Sequence, residues 1–166
     1  MPHSNSECIH HERKNAIALS LLSLFMMLLS ARCSLPKIII SHDPLSPQEH
    51  INLGVAYEKN GELDNALIEY KKASKKSDQA FLYIGNIYFQ KGELDQAEKY
   101  YKKVIRKDPQ NADAFNNLAW LYCTKKVNLD KAAECARKAL ELNPSKAALY
   151  QNTLDAIESL RKTPHP

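Results

Sequence analysis

Residues 61–66 read GELDNA and residues 92–97 read GELDQA. The two phrases stand 31 positions apart. Neither holds a nucleophile, a histidine or a metal-ligand cluster. A phrase repeated at an interval of ~20–50 residues marks an architecture built from copies of one supersecondary unit. The six residues are therefore one part of a longer repeated unit.

Aligning on the glycines extends the match. The first block is HINLGVAYEKNGELDNALIEYKKA, residues 50–73, and the second is FLYIGNIYFQKGELDQAEKYYKKV, residues 81–104. Gly54 falls on Gly85, Tyr57 on Tyr88, Ala66 on Ala97 and Tyr70 on Tyr101. A third copy, FNNLAWLYCTKKVNLDKAAECARKA at residues 115–139, has no glycine. Ala119 stands for the first glycine, Tyr122 for the tyrosine and Ala132 for the alanine. One residue is inserted before Asn128-Leu129-Asp130. Leu53, Tyr57 and their equivalents recur at helical spacing, so each block predicts a hairpin of two helices.

The corner between the helices is the repeated phrase. Gly61 and Gly92 sit where a helix ends in a left-handed residue. Asn128 is expected to replace them in block three, because asparagine tolerates that conformation. Glu62 and Asp64, and likewise Glu93 and Asp95, fall at the positive N-terminal end of the next helix. Gly54, Gly85 and Ala119 are small, which predicts a close helix approach, with Ala66, Ala97 and Ala132 facing them. Ser46-Pro47-Gln48-Glu49 forms a capping box with proline in the first turn. Pro109 and Pro144 are expected to stop the second helices of blocks two and three.

This pattern resembles the tetratricopeptide repeat family over residues 47–144. Block two carries the spaced signature as Ile84, Gly85, Tyr88, Ala97, Tyr101, Val104 and Pro109. Block one carries Leu53, Gly54, Tyr57, Ala66, Tyr70 and Ala73, lacks the closing proline and runs short of the family's ~34 residues. Block three carries Leu118, Ala119, Tyr122, Ala132, Ala136, Ala139 and Pro144. The resemblance implies an all-α fold: a right-handed α-solenoid of three helix hairpins, at about 47–77, 78–111 and 112–144, plus a C-terminal capping helix at 145–161. The repeat domain as a whole is expected over 47–163. Leu149, Thr153, Leu154, Ile157 and Leu160 are expected to form the buried face of the capping helix.

The front of the chain reads differently. Residues 15–31, NAIALSLLSLFMMLLSA, carry no charge, with Arg13 and Lys14 before them and Arg32 after. The dense part, Ala16 to Leu29, is shorter than the ~20 residues of a comfortable membrane span. It fits the apolar core of a secretory signal. Leu29-Ser30-Ala31-Arg32-Cys33 resembles the end of a bacterial lipoprotein signal, with Arg32 where a small residue belongs. Three outcomes stay open for residues 1–33: acylation at Cys33, an uncleaved membrane anchor, or cleavage and release. Each implies an exported or membrane-anchored protein, periplasm-facing in a bacterial envelope. Residues 34–46, SLPKIIISHDPLS, form a linker, since Pro36, Pro44 and the following Pro47 forbid a continuous helix.

Composition excludes several function classes. The net charge is +4, and the lysine pairs at 71–72, 75–76, 102–103 and 125–126 are interspersed with acids. That pattern reads as solvated helix faces, with no aromatic-laced basic stripe for nucleic acid. Cys8, Cys33, Cys123 and Cys135 form no zinc spacing. Cys123 and Cys135 fall on different helices of one hairpin, and free thiols are expected. His3, His10, His11, His42 and His165 lie outside the repeats, and His50 is expected to pack in the first helix. No phosphate loop, metal motif or catalytic triad is visible, so no enzyme, no cofactor, no metal and no small-molecule substrate are expected.

Stacked hairpins leave a concave groove that suits peptide segments. By resemblance, the first helix of each repeat lines it. The expected partner-binding residues are Asn52 and Val55, then Leu82, Tyr83, Asn86 and Phe89, then Asn116, Asn117 and Trp120, with Tyr150 from the capping helix. Ile51, Glu58, Asp113, Cys123 and Leu149 lie at the same spacings. Some family members hold a chaperone's C-terminal carboxylate there with lysine, arginine and asparagine. Only Asn86 fits that clamp; Ile51, Val55, Asp113 and Asn117 do not. The partner expected is a protein or peptide segment of another kind, with the membrane reached through the N-terminal segment. The alternative is a non-catalytic accessory subunit of an envelope enzyme or transport system.

Overall fold

The computed structural model describes residues 43–162. The apolar run, Cys33, the linker as far as His42 and residues 163–166 lie outside the described residues. Among those described there are α-helices and no strand: α1 (Pro47–Lys59), α2 (Leu63–Ala73), α3 (Ala80–Gln90), α4 (Leu94–Lys107), α5 (Ala112–Lys125), α6 (Leu129–Leu142) and α7 (Ala147–Lys162). They pair as three hairpins and a terminal helix, and each helix packs on its neighbour in chain order. This is the all-α solenoid the repeats call for. None of these helices is long and apolar enough to cross a membrane.

The helix ends follow the sequence. Ser46 Oγ accepts from the Glu49 amide, and Glu49 returns a 2.7 Å bond to the Ser46 amide. The corners close as loops in which the amide of Glu62 donates to the Tyr57 carbonyl, and that of Glu93 to Tyr88, both at 2.9 Å. The intervening Gly61 and Gly92 have φ of 79° and 77°. In the third hairpin the matching bond runs from Val127 to Tyr122, so Lys126, at φ 52°, occupies the glycine's place. Asn128 was expected there. It is instead the inserted residue, and it too is left-handed, at φ 53°. The insertion is absorbed by two left-handed residues, one on either side of Val127, rather than one.

The small residues have a sharper cause than a passing helix. A Cβ on Gly54 would lie 2.4 Å from the Tyr70 ring, and one on Gly85 would lie 2.6 Å from the Tyr101 ring. The space opposite each glycine is therefore filled by the second helix's tyrosine, not by Ala66 or Ala97 as expected. Those alanines are fully buried elsewhere in the core. In the third hairpin Ala136 replaces the tyrosine and Ala119 replaces the glycine, so the pair changes together.

Two other expectations shift. Leu53 is 36% exposed, whereas Ile84 and Leu118 at the same position are buried. The later two are covered by the preceding hairpin, and among the described residues no hairpin precedes the first. Pro144 opens a 3-10 turn, Pro144–Lys146, so α7 begins at Ala147 and its inner face is rotated. Tyr150, Thr153, Leu154 and Ile157 face inward, while Leu149 is 53% exposed. Both Cys123 and Cys135 are free thiols.

The copied aspartate links one repeat to the next. Asp64 pairs with Lys91 at 2.5 Å, Asp95 pairs with Lys125 at 2.7 Å, and Asp130 pairs with Arg161. In each case the cation comes from the following unit. His50 is buried between two carboxylates: Nδ1 lies 2.7 Å from Glu69 and Nε2 lies 3.0 Å from Asp43. Burial pushes the Glu69 carboxyl up, but bonds from Lys72 and His50 outweigh it and hold it below the ordinary range.

The glycine–tyrosine pair predicts a strong coupling. Gly85→Ala should cost ~1–3 kcal/mol by overpacking, and Tyr101→Ala ~3–5 kcal/mol through the cavity it leaves. The double variant recreates the Ala119/Ala136 arrangement. Urea unfolding of the full chain should show it less destabilised than the sum of the two by at least ~0.5 kcal/mol. Additive losses would mean the ring does not occupy that space.

Candidate functional site

The groove is built from the inner faces of α1, α3 and α5. Residues three and four apart on a helix share a face. That spacing puts Asn86 and Phe89 side by side on α3, and Asn117 and Trp120 side by side on α5. The structure brings these four together around one depression of about 260 Å³, with Gln90 and Tyr101 completing its wall. Trp120 is 44% exposed, the chain's only tryptophan and a large aromatic surface open to a ligand.

Asn86 is the hub of this depression. Its Oδ1 accepts from Tyr101 Oη at 3.1 Å and from Asn117 Nδ2 at 2.9 Å. Both lone pairs of that oxygen are used, so the amide cannot turn. The Asn86 NH2 and the Asn117 carbonyl remain as a donor and an acceptor, the pair that an extended backbone needs. Burial raises the Tyr101 hydroxyl above the ordinary tyrosine range, so it stays a proton donor. One step along, Tyr70 Oη donates to Glu58 at 2.8 Å, and Gln90 Nε2 bridges to the same carboxylate at 2.5 Å.

The remaining expected residues divide. Tyr83 stacks on Tyr70 with ring centroids 5.0 Å apart. Asn52 is exposed and accepts from Gln48, and Val55 is half-buried; neither borders the depression. Leu82 lines a separate hollow with Val104 and Asn111. Asn116 and Tyr150 were expected in the groove and are core residues instead. Asn116 is 7% exposed, and its Oδ1 has no hydrogen-bond partner. Tyr150 is fully buried, and its hydroxyl donates to Asp113 at 2.7 Å. Both lie one helical step too far inward, on the row that includes the buried Ile51. Cys33 lies outside the described residues.

Gln90 and Tyr101 were not anticipated. Gln90 is four residues after Asn86, so helical spacing alone would have found it. Tyr101 reaches the groove from a second helix, which no pattern along α3 reveals. At the far end, Lys146 holds Asp113 at 2.7 Å. Burial pushes the Asp113 carboxyl up, while Lys146 and the Tyr150 hydroxyl outweigh it and keep it below the ordinary range. No cluster of histidine, cysteine and acidic groups suited to a metal occurs among the described residues.

Comparison with known proteins agrees with this architecture. Residues 85–126 match the TPR repeat family, and residues 50–75 and 112–146 match the Tetratricopeptide repeat family. Together the matches cover just over half of the chain, which belongs to the tetratricopeptide repeat family. Among solved structures, a tetratricopeptide repeat protein from Parabacteroides merdae is similar at 25% identity and a TM-score of 0.64. The match covers 74% of this chain and 48% of that one, so this chain spans about half of that relative's length. The TPR2B domain of yeast Sti1, in a complex with pHsp70, matches at 18% identity and a TM-score of 0.64, over 68% of this chain and 96% of that one. The first TPR of Spaghetti (RPAP3), bound to the HSP90 peptide SRMEEVD, matches at 19% and 0.65, over 75% and 99%. Those two likenesses establish the fold alone. No match was found among curated proteins.

The geometry predicts that Trp120 is a half-exposed residue whose free face is open to solvent. Trp120→Ala should cost only ~1–2 kcal/mol, below the ~3–5 kcal/mol of a fully buried aromatic. Acrylamide should quench the wild-type emission efficiently in the free chain. A blue-shifted, protected emission would place the indole in the core instead.

Proposed function

We propose that this protein is a non-catalytic interaction scaffold that holds an extended segment of a partner protein across the concave groove. The observation that carries this reading is the Asn86–Asn117 pair. Two amides are locked to each other beside an exposed tryptophan, each with one backbone-matching group left over. Phe89 and Trp120 would take an apolar or aromatic side chain of the segment, as aromatic anchors do in interfaces. The two chaperone-bound neighbours support the use of such grooves for peptides.

The proposed segment is not a C-terminal carboxylate. Such a ligand needs a cation in the groove. Here Glu58 and Asp113 face it, and Lys146 is already engaged by Asp113. An internal stretch of polypeptide, neutral where it crosses Asn86 and Asn117, suits the site better. The test uses an extended peptide selected from a random-sequence library against the full chain. Asn86→Ala and Asn117→Ala should each weaken it by ~1–2 kcal/mol, about tenfold in affinity. Lys99→Ala and Arg106→Ala on the outer face of α4 should leave it unchanged. The reverse pattern would put the partner on the outer surface and remove the groove reading.

The place of action is part of the same proposal. The uncharged run at 15–31 behind Arg13 and Lys14 supports export or anchoring, with Cys33 as the lipid attachment point. Two acyl chains would hold such a scaffold stably at a membrane. Cys33→Ser should then abolish labelling by a palmitate analogue and leave a longer precursor by intact mass. Equal labelling of wild type and variant would eliminate the lipoprotein reading and leave the groove untouched.

A further inference from the structure

A hollow more than twice the volume of the groove depression lies outside the groove. It is a cavity of about 660 Å³ on the outer side, between the second helices of repeats two and three. Its floor is Phe115, Leu118 and Tyr122, and Cys135 forms one wall. The chain holds its own control for this place, because the preceding repeat junction is built from equivalent residues.

At that earlier junction Phe81 stands for Phe115, Tyr88 for Tyr122 and Lys71 for Lys102. The residue equivalent to Cys135 is Tyr100. Its ring stacks on Tyr88 at 5.5 Å between centroids and tilts against Phe81 at 6.2 Å. Lys71 lies 5.6 Å from the Tyr88 ring, and Lys103 caps Phe81 at 3.5 Å. The receiving residues recur at the later junction, where Lys102 lies 5.9 Å from the Tyr122 ring and Tyr122 itself is buried. The filling ring is not repeated. Cysteine is too short to reach across, and Lys138, at the place of Lys103, turns to Glu141 at 3.0 Å instead. The cavity lies where the earlier junction holds the Tyr100 ring.

We propose that this outer cavity is a second binding site, which takes an aromatic side chain of a partner protein next to a carboxylate. The ring would lie against Phe115 and Cys135, over the edge of the otherwise buried Tyr122 that borders the cavity, at the place Tyr100 takes beside Tyr88 and Phe81. The acidic neighbour follows from the rim, where four cations (Lys102, Lys131, Arg137 and Lys138) outnumber Glu134 and Glu141, and Lys131 and Arg137 have no ion-pair partner among the described residues. Burial, aided by Glu134, pushes the Cys135 thiol up to about 11, so this wall is a neutral, apolar surface at physiological pH. The volume lies within the ~300–1,000 Å³ of ordinary ligand pockets and exceeds one ring, which leaves room for the flanking residue. This site is independent of the concave groove.

Backbone-amide NMR of the full chain tests it with two probes, N-acetyl-Tyr-Glu and N-acetyl-Leu-Glu. The tyrosine probe should shift the amides around Phe115, Tyr122 and Cys135 and leave Asn86 and Asn117 in place. It should bind about 3–10-fold tighter than the leucine probe, the gain expected of aromatic pairing. Cys135→Tyr restores the missing ring and should abolish these shifts. Arg137→Glu, which reverses an unpaired rim cation and adds no ring, should weaken binding severalfold even if the tyrosine variant fails to fold. Absence of shifts, shifts confined to the Trp120 depression, or equal binding of both probes would overturn the proposal. So would self-association of the free chain by sedimentation that Cys135→Tyr abolishes, since a second copy would then be the occupant.

Discussion

The contact on which the structure depends is a tyrosine ring laid over a glycine. Without a side chain at Gly54 and Gly85, the rings of Tyr70 and Tyr101 lie directly on the first helix of their own hairpin. Both rings are buried, yet both hydroxyls emerge on the concave side, at Glu58 and Asn86. One contact thus packs the hairpin and positions a polar group in the groove. The third hairpin abandons the device, with Ala119 and Ala136. Its groove wall is fixed instead from the neighbouring repeat, through the bond between Asn117 and Asn86.

Between hairpins the same economy holds. The corner aspartate serves its own helix N-terminus and also receives a cation from the next unit. Such exposed pairs are each worth little, ~0–1 kcal/mol. Their value lies in geometry, because the pairing repeats only if successive hairpins keep the same offset. The buried tyrosines and alanines supply cohesion, and the corners supply register. A stack of nearest-neighbour contacts like this has no central core, and at the junction of repeats two and three it leaves a depression on the groove side and a hollow on the other.

Much of this was written along the chain. The hairpins, the glycine corners and the helix starts follow from spacing, since helical periodicity and left-handed turns are local properties. What failed was whatever depended on rotation or on a second element. Asn116 and Tyr150 sit one step inward because a helix face about 100° wide cannot be placed to better than a residue by pattern. Lys126 took the left-handed position because the loop bond counts from Tyr122, while the sequence draws the eye to Asn128. The role of Tyr101 in the groove, and the vacancy opposite Cys135, depend on contacts between helices that the sequence does not spell. They become legible only when equivalent residues of successive repeats are compared in three dimensions.

The central claim is that the Asn86, Asn117 and Trp120 surface is where a partner segment lies. Intermolecular nuclear Overhauser contacts from a bound, isotope-labelled peptide to the full chain measure this directly. The account predicts contacts from the peptide backbone to the side-chain amides of Asn86 and Asn117, and from one peptide side chain to the Trp120 indole. Contacts confined to the outer faces of α2, α4 and α6, with the indole silent, would contradict it.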